Sequence, residues 1–356
     1  MELYSLALFM TDDCNFNCHY CYQKKGNTYV DKGTMKKAID FFYPFLKNKC
    51  YFNFYGGEPL LAFDQIKFAL DYIQSINKKK MKNIIFSMTT NGSLISDDVL
   101  STLNLHKFSL LLSFDGIGQD VSRKKDSYEG IVKILEKTIQ NPDIDLETNS
   151  VFTPSTINSL SESIITIVDL GVPNISLALS QTALWDSSSL SRFQKELDTL
   201  AKFLVSHSRK TGYIPVANFR KNDAKGVFAC HAAKDRMAIS ADGKLWGCHL
   251  FADIYKEKEG TNEYAKFCFG DLDTFVENHQ EIYPRIAANY TNLRMDQFHT
   301  NSLRCRDCPE LEECQVCPMD NMIQGRNIKE IPDWVCEQKK ISREIRRQFW
   351  RELKNG

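Results

Sequence analysis

Six short apolar runs, over residues 3–10, 51–55, 84–89, 108–114, 146–152 and 175–179, punctuate the first ~210 residues of the chain. Between and after them lie amphipathic stretches near 34–47, 62–77, 97–104, 128–140, 157–170 and 189–210. Alternation of strand-length and helix-length patterns is the order of a parallel sheet with crossover helices. Six such units are two short of the number that closes a barrel, so the pattern predicts an α/β fold built on a partial (β/α)6 TIM-like barrel, curved and open on one side. After Pro215 the rhythm stops, and eight of the twelve cysteines lie from Cys230 onward. A boundary is therefore expected near 215–228, dividing the chain into a barrel over 1–220 and a cysteine-rich domain over 221–356. Within the latter, Ile341, Ile345 and Phe349 stand at helical spacing between Trp334 and Trp350, which predicts a docked C-terminal helix. Its Lys339, Lys340, Arg343, Arg346 and Arg347 are expected on a solvated face, as is the run Lys78-Lys79-Lys80.

Composition narrows the partners. Forty-five basic and 45 acidic residues cancel, leaving no global field to draw the protein onto nucleic acid or an anionic membrane. No apolar run approaches the ~20 residues of a membrane helix, and the opening residues lack the charged, apolar and small-residue segments of a secretory signal. A cytoplasmic protein with a peptide or small-molecule partner is expected, with no nucleic acid and no membrane. Twelve cysteines in a reducing compartment point to metal or redox chemistry.

The chemistry begins at the end of the first predicted strand, with Cys14, Cys18 and Cys21 in a C-x3-C-x2-C run. A closed four-iron cluster takes four thiolates, and no further cysteine follows until Cys50, so the trio leaves one iron open. Zinc would need a fourth nitrogen or sulfur, and His19, inside the trio, can hardly fold back onto the same ion. In barrel folds the working residues gather at the carboxyl ends of strands. There the chain places Tyr20, Gly56-Gly57-Glu58-Pro59, Asn91, Ser113 with Asp115, and Asn149 with Thr153. Paired glycines permit close backbone approach to a ligand, though a tight turn has the same composition. Hydroxyl and acid residues at strand ends are binding groups or helix caps.

The trio, with the glycine-rich motif about 35 residues after it, resembles the radical S-adenosylmethionine (SAM) enzymes over residues 1–185. The resemblance implies that the amino and carboxylate groups of SAM fill the open iron site. Gly56, Gly57, Glu58 and Pro59 would hold the methionine amino group. Ser113 and Asp115 would serve the ribose or the carboxylate region, with Asn91 and Asn149 at neighbouring strand ends and Tyr20 beside the bound molecule. Arg123 is a further candidate for the SAM carboxylate, set against an ordinary surface arginine.

Downstream, Cys230, Gly243 and Cys248, then Cys305-x2-Cys308-x5-Cys314-x2-Cys317, then Cys336, resemble the SPASM domain, whose usual last spacer in the central run is x3. That resemblance implies Cys230, Cys248 and Cys317 on auxiliary cluster I, and Cys305, Cys308, Cys314 and Cys336 on cluster II. Arg236 stands where some members carry another cysteine, so Cys268 is the candidate fourth ligand of cluster I, with a buried free thiol or an open iron as the alternatives. Cys50 reads as core. Together these imply three [4Fe-4S] clusters, SAM, an external one-electron reductant such as flavodoxin or ferredoxin, and a peptide or protein substrate.

The reaction implied is cleavage of SAM to a 5′-deoxyadenosyl radical, hydrogen abstraction and oxidative modification of a peptide residue, such as a cross-link in a ribosomally made peptide. Anaerobic sulfatase-maturating enzymes, which form formylglycine, share this size and domain pair. In them an aspartate follows the second cysteine of cluster I as the candidate base, and here that position is His249. The difference favours peptide maturation. Alternatives of another class are an iron-sulfur electron carrier or a zinc-binding scaffold. Because the sequence opens at the first strand, leader recognition is expected to fall to the barrel opening, the C-terminal domain or a separate partner.

Overall fold

The computed structural model describes residues 1–79, 81–221 and 226–355. Lys80 of the basic run and residues 222–225 of the expected boundary lie outside the described residues. All six expected strands form: β1 (Leu3–Thr11), β2 (Leu46–Gly56), β3 (Asn83–Thr90), β4 (Ser109–Ser113), β5 (Asp145–Phe152) and β6 (Asn174–Leu179). They pair in parallel in sequence order. The crossover helices are α1 (Lys32–Phe42), α2 (Phe63–Asn77), α3 (Asp97–Leu105), the one-turn α4 (Gln119–Ser122), α5 (Tyr128–Ile139) and α6 (Leu160–Asp169). α7 (Ser187–Thr211) follows the last barrel strand, with a capping box from Asp186 and Ser189 and a left-handed Gly212 after its end.

One helix was expected to run to residue 47. It stops at Phe42, because Pro44 lies in a 3₁₀ turn over Tyr43–Phe45 and the chain is committed to β2 from Leu46. Central strands carry near-continuous apolar sequence because both faces are covered; every residue of β1 from Leu6 to Thr11 is buried.

The parallel sheet does not end with the sixth strand. β7 (Arg236–Ile239) adds to β1 in parallel, and β8 (Lys244–Trp246) and β9 (Cys268–Asp271) continue it antiparallel, giving the order β6-β5-β4-β3-β2-β1-β7-β8-β9. The cysteine-rich half thus supplies one end of the same nine-stranded sheet, and one hydrophobic core runs through both halves. Short length hid these strands, since runs of three or four residues carry almost no periodicity. The same half carries α8 (His249–Tyr255), α9 (Asn262–Phe267), α10 (Leu272–Thr291), α11 (Pro318–Ile323) and α12 (Asp333–Lys354). α10 breaks helical geometry at Asn278 and contains Pro284, which accounts for its absence from the sequence reading.

The expected C-terminal helix is α12. It returns to the barrel, where Phe349 meets Phe219 at 5.2 Å between ring centroids and the Trp350 indole donates to the Phe219 carbonyl at 3.0 Å. Its basic residues are not all solvated: Arg343 is buried and pairs with Glu310, in the loop that carries Cys308 and Cys314. Among the described residues no helix is long and apolar enough to cross a membrane.

Candidate active site in the mouth of the barrel

A cavity of about 640 Å³ occupies the carboxyl end and open side of the barrel, within the range of small-molecule sites. Cys14, Cys18 and Cys21 line it together with Cys248 and His249 from the C-terminal half. The glycine motif supports the cysteine loop. Gly57 N–H donates to the Thr11 carbonyl at 2.9 Å and Glu58 N–H to the Asp13 carbonyl at 2.8 Å, so the end of β2 extends along the residues leading into Cys14. Gly56 adopts φ +141°, and a Cβ on Gly57 would fall on the Asp13 carbonyl oxygen. Only glycine allows that approach.

The expected site residues divide into two groups. Tyr20, Gly56, Gly57, Asn91, Ser113, Arg123 and Asn149 line the cavity. Ser113 and Asn149 are direct partners across β4 and β5, and among the described residues their side chains have no protein hydrogen bond, which leaves both for a ligand. Glu58, Pro59 and Asp115 stand behind the wall. Glu58 is fully buried and accepts from Thr90 Oγ1 at 2.7 Å, Asn91 N at 2.8 Å and Leu60 N at 3.1 Å. Its carboxylate therefore ties the end of β2 to the end of β3, and Pro59 opens the short 3₁₀ turn that follows. Burial pushes Glu58 up to about 7, against those three donors.

Ser113 and Asp115 were expected to share a face. They part because β4 ends at Ser113 and the chain turns through Gly116 at φ +61°, so the period of two no longer applies. Asp115 is instead the centre of a buried network. It accepts from Arg123 Nη2 at 2.9 Å, Tyr20 Oη at 2.7 Å, Ser122 Oγ at 2.6 Å and Val151 N at 2.8 Å. Arg123 is no surface residue: it is 7% exposed, its guanidinium lies 5.3 Å from the centre of the Tyr20 ring, and its Nε has no partner among the described residues. The short α4, absent from the sequence reading, carries Ser122 and brings Arg123 back over the sheet.

The thiols fall into separate sets, each close enough for its members to act on one another's charge: Cys14, Cys18 and Cys21; Cys230, Cys248 and Cys317; and Cys305, Cys308, Cys314 and Cys336. Burial pushes Cys18 and Cys230 up to about 11, the penalty that coordination to iron removes by binding the thiolate. Backbone N–H groups already face two of the sulfurs, Phe16 N toward Cys14 and Ala232 N toward Cys230, each at 3.5 Å. Among the described residues no three His, Cys, Asp or Glu side chains converge on a single-ion site. Zinc draws its thiolates to about 2.3 Å, whereas a four-iron cube spreads them over its corners. The three sets fit polynuclear clusters in donor type and grouping.

Cys268 stands apart from these sets. Its sulfur accepts from Gly270 N at 3.4 Å and bonds the Tyr264 side chain, beside Lys244 and Asp242. The expected role as fourth ligand of cluster I is not carried by this placement; β9 turns the thiol toward α9 instead. Cys50 is fully buried core, as expected.

His249 opens α8 directly after Cys248. Its ring packs on Tyr55 at 4.5 Å, Tyr55 Oη lies 2.9 Å from Tyr22 Oη, and burial lowers the imidazole pKa, favouring the neutral form. One helical turn later, Asp253 accepts from Gln23 Nε2 at 3.0 Å, and burial pushes it up to about 7. Tyr22, Tyr55 and Asp253, lying between Cys21 and Cys248, were missed by the sequence reading. The i,i+4 spacing of Asp253 from His249 was the available signal for one of them.

Residues 8–142 match the family model described as the radical SAM superfamily. The chain carries a radical SAM domain. An uncharacterized protein of Methanocaldococcus jannaschii is 28% identical over 259 residues, 70% of this chain and 83% of that protein. The radical SAM cyclopropyl synthase TigE of Paramaledivibacter caminithermalis is 24% identical over 275 residues, 69% of this chain and 57% of its own length. Among solved structures, native anSMEcpe with bound AdoMet aligns at TM-score 0.74 and 16% identity over 99% of both chains. Streptococcus suis SuiB bound to precursor peptide SuiA aligns at TM-score 0.61 and 17% identity, over 94% of this chain and 76% of SuiB. These alignments show the fold: a partial barrel with a further C-terminal region.

Proposed function

We propose that this protein is a radical SAM enzyme that oxidatively modifies a residue of a peptide or protein, with residues 1–220 as the SAM unit and 221–356 as the auxiliary-cluster unit. The observation that carries the reading is one cavity lined both by Cys14, Cys18 and Cys21 and by Cys248 of the C-terminal half. Cys14, Cys18 and Cys21 would hold a [4Fe-4S] cluster that, with SAM bound, would supply radical hydrogen-abstraction chemistry. The remaining roles belong to side chains of this chain. Gly56 and Gly57 present backbone to the methionine end, Arg123 offers its unpartnered Nε to the carboxylate, and Ser113 with Asn149 bind the ribose side. His249, held neutral by burial, accepts the proton released when the substrate is oxidised, with Tyr55 fixing its ring. Cys230, Cys248 and Cys317 would hold auxiliary cluster I, and Cys305, Cys308, Cys314 and Cys336 would hold cluster II. A flavodoxin or ferredoxin supplies the electron, and the protein works in the cytoplasm.

Two solved structures similar in fold hold peptides, the SuiB complex and an anSMEcpe complex with AdoMet and the Cp18Cys peptide, aligned at TM-score 0.71. Both support a peptide substrate. Maturation of a ribosomally made peptide is preferred over formylglycine formation because His249 occupies the position after Cys248. Anaerobic reconstitution with iron, sulfide, SAM and dithionite tests the enzyme reading: 5′-deoxyadenosine is the expected product, and its absence from an iron-loaded protein would return the chain to the class of electron carriers.

A further inference from the structure

Three carboxylates line the cavity, and two are satisfied by the protein itself. Asp12 pairs with Lys256 and Glu147 accepts from Ser176. The third, Asp320 on α11, has no hydrogen-bond or ion-pair partner among the described residues. Lys339 acts on it only through space, while two cavity-lining arginines are engaged elsewhere, Arg123 by Asp115 and Arg236 by Asp235 at 3.5 Å. A second orphan acceptor lies on the same seam. Gln181, in the loop after β6, donates its amide N–H to the Leu179 carbonyl at 3.1 Å and leaves Oε1 buried without a partner. The two elements are joined, since Gln324 after α11 donates to the carbonyls of Gln181 and, at 3.4 Å, Ala183.

A buried acceptor without a donor, such as Gln181 Oε1, is costly, and the half-buried Asp320 carboxylate on the same cavity, without a protein partner among the described residues, is left to a ligand cation. On this basis, and resting on the peptide reading above, we infer that Asp320 and Gln181 form a subsite for an ammonium or guanidinium group carried by the substrate peptide. The cation bonds the Asp320 carboxylate and the Gln181 amide oxygen and so anchors the peptide at the seam between β6 and α11. Asp320 is a specificity-determining group here, placed to choose which peptide is held.

Fluorophore-labelled acetyl-Gly-X-Gly-amide peptides, with X as Lys, Arg, norleucine or Glu, test this by anisotropy against the iron-loaded full-length protein with SAM, alongside competition by agmatine. The Lys and Arg peptides are expected to bind about tenfold more tightly than the norleucine peptide, with Glu weakest. Asp320→Asn should erase that preference, and Gln181→Leu, remote from the cluster cysteines, should reduce it while iron content stays unchanged. Equal or weaker binding of the cationic peptides in the unmodified protein overturns the subsite and leaves the peptide reading standing. Agmatine binding that depends on Asp320, with no peptide bound, sustains the subsite and removes the peptide reading. If neither peptides nor agmatine bind, both fall.

Discussion

The two sides of the cavity are built on opposite principles. On the barrel side, the carboxylates of Glu58 and Asp115 are buried and saturated, the first by three donors and the second by four. On the seam side, the half-buried Asp320 carboxylate and the buried Gln181 Oε1 have no partner among the described residues. A fully satisfied polar network fixes one geometry, while an incomplete one is stabilised by whatever completes it. The barrel wall is thus preorganised for a ligand that never varies, and the seam is suited to the one that defines the substrate.

The contrast can be broken most forcefully at the cysteine trio. Replacing Cys14, Cys18 and Cys21 together by Ala should reduce 5′-deoxyadenosine formation to background, while about eight of about twelve irons remain with the C-terminal cysteines. Loss of all iron would mean that the two halves do not load independently. A smaller but still severe effect is expected from Asp115→Ala. It strands the buried Arg123 guanidinium, and breaking a buried pair from one side costs about 3–5 kcal/mol. Denaturant unfolding of the purified protein measures this; a loss under about 1 kcal/mol would show that solvent reaches Arg123 and that the barrel wall is not dry.

Glu58 sharpens the comparison through pH. Its carboxyl titrates near 4.5 in an unfolded chain and at about 7 in the fold, because burial disfavours the anion. The folded state therefore binds more protons than the unfolded state between those values, and stability falls as pH rises through the window. The contribution is about 3 kcal/mol, fully present below pH about 4.5 and gone above about 7. Thermal melts across that range should show the slope, and Glu58→Gln should flatten it, at a general cost because one of the three donors then meets an amide N–H. A slope of equal size in the variant would assign the effect to other buried acids, of which Asp253 is the first to examine.

How much of this was legible in sequence follows from the range of the interactions. The six barrel strands and the cysteine trio were legible because apolar runs and C-x3-C-x2-C spacing are local signals. Glu58 and Asp115 were assigned to the ligand because their motifs lie at strand ends, but the donors that bury them come from residues as far apart as Asn91 and Val151. Arg123 gave no sign of burial, since its partners Asp115 and Tyr20 meet it only after α4 folds back over the sheet. β7, β8 and β9 were too short to read, and Gln181 and Asp320 came to line one cavity only when the cysteine-rich half closed against the loop after β6.

The smallest expected effect lies on the outer rim of that closure. Lys24, three residues after Cys21, pairs with Glu257 just beyond α8, but the two side chains are 69% and 50% exposed. An ion pair in that position contributes about 0–1 kcal/mol and weakens further with salt. The loop is held from within by Tyr22 on Tyr55 and Gln23 on Asp253, all four half-buried and less exposed than the Lys24–Glu257 pair. Lys24→Ala should therefore change stability by less than about 0.5 kcal/mol and leave SAM affinity unaltered, whereas Asp253→Ala should weaken both. If Lys24→Ala alone loosens SAM binding, and high salt reproduces the loss in the unmodified protein, the loop is held from its surface and the buried phenols are only packing.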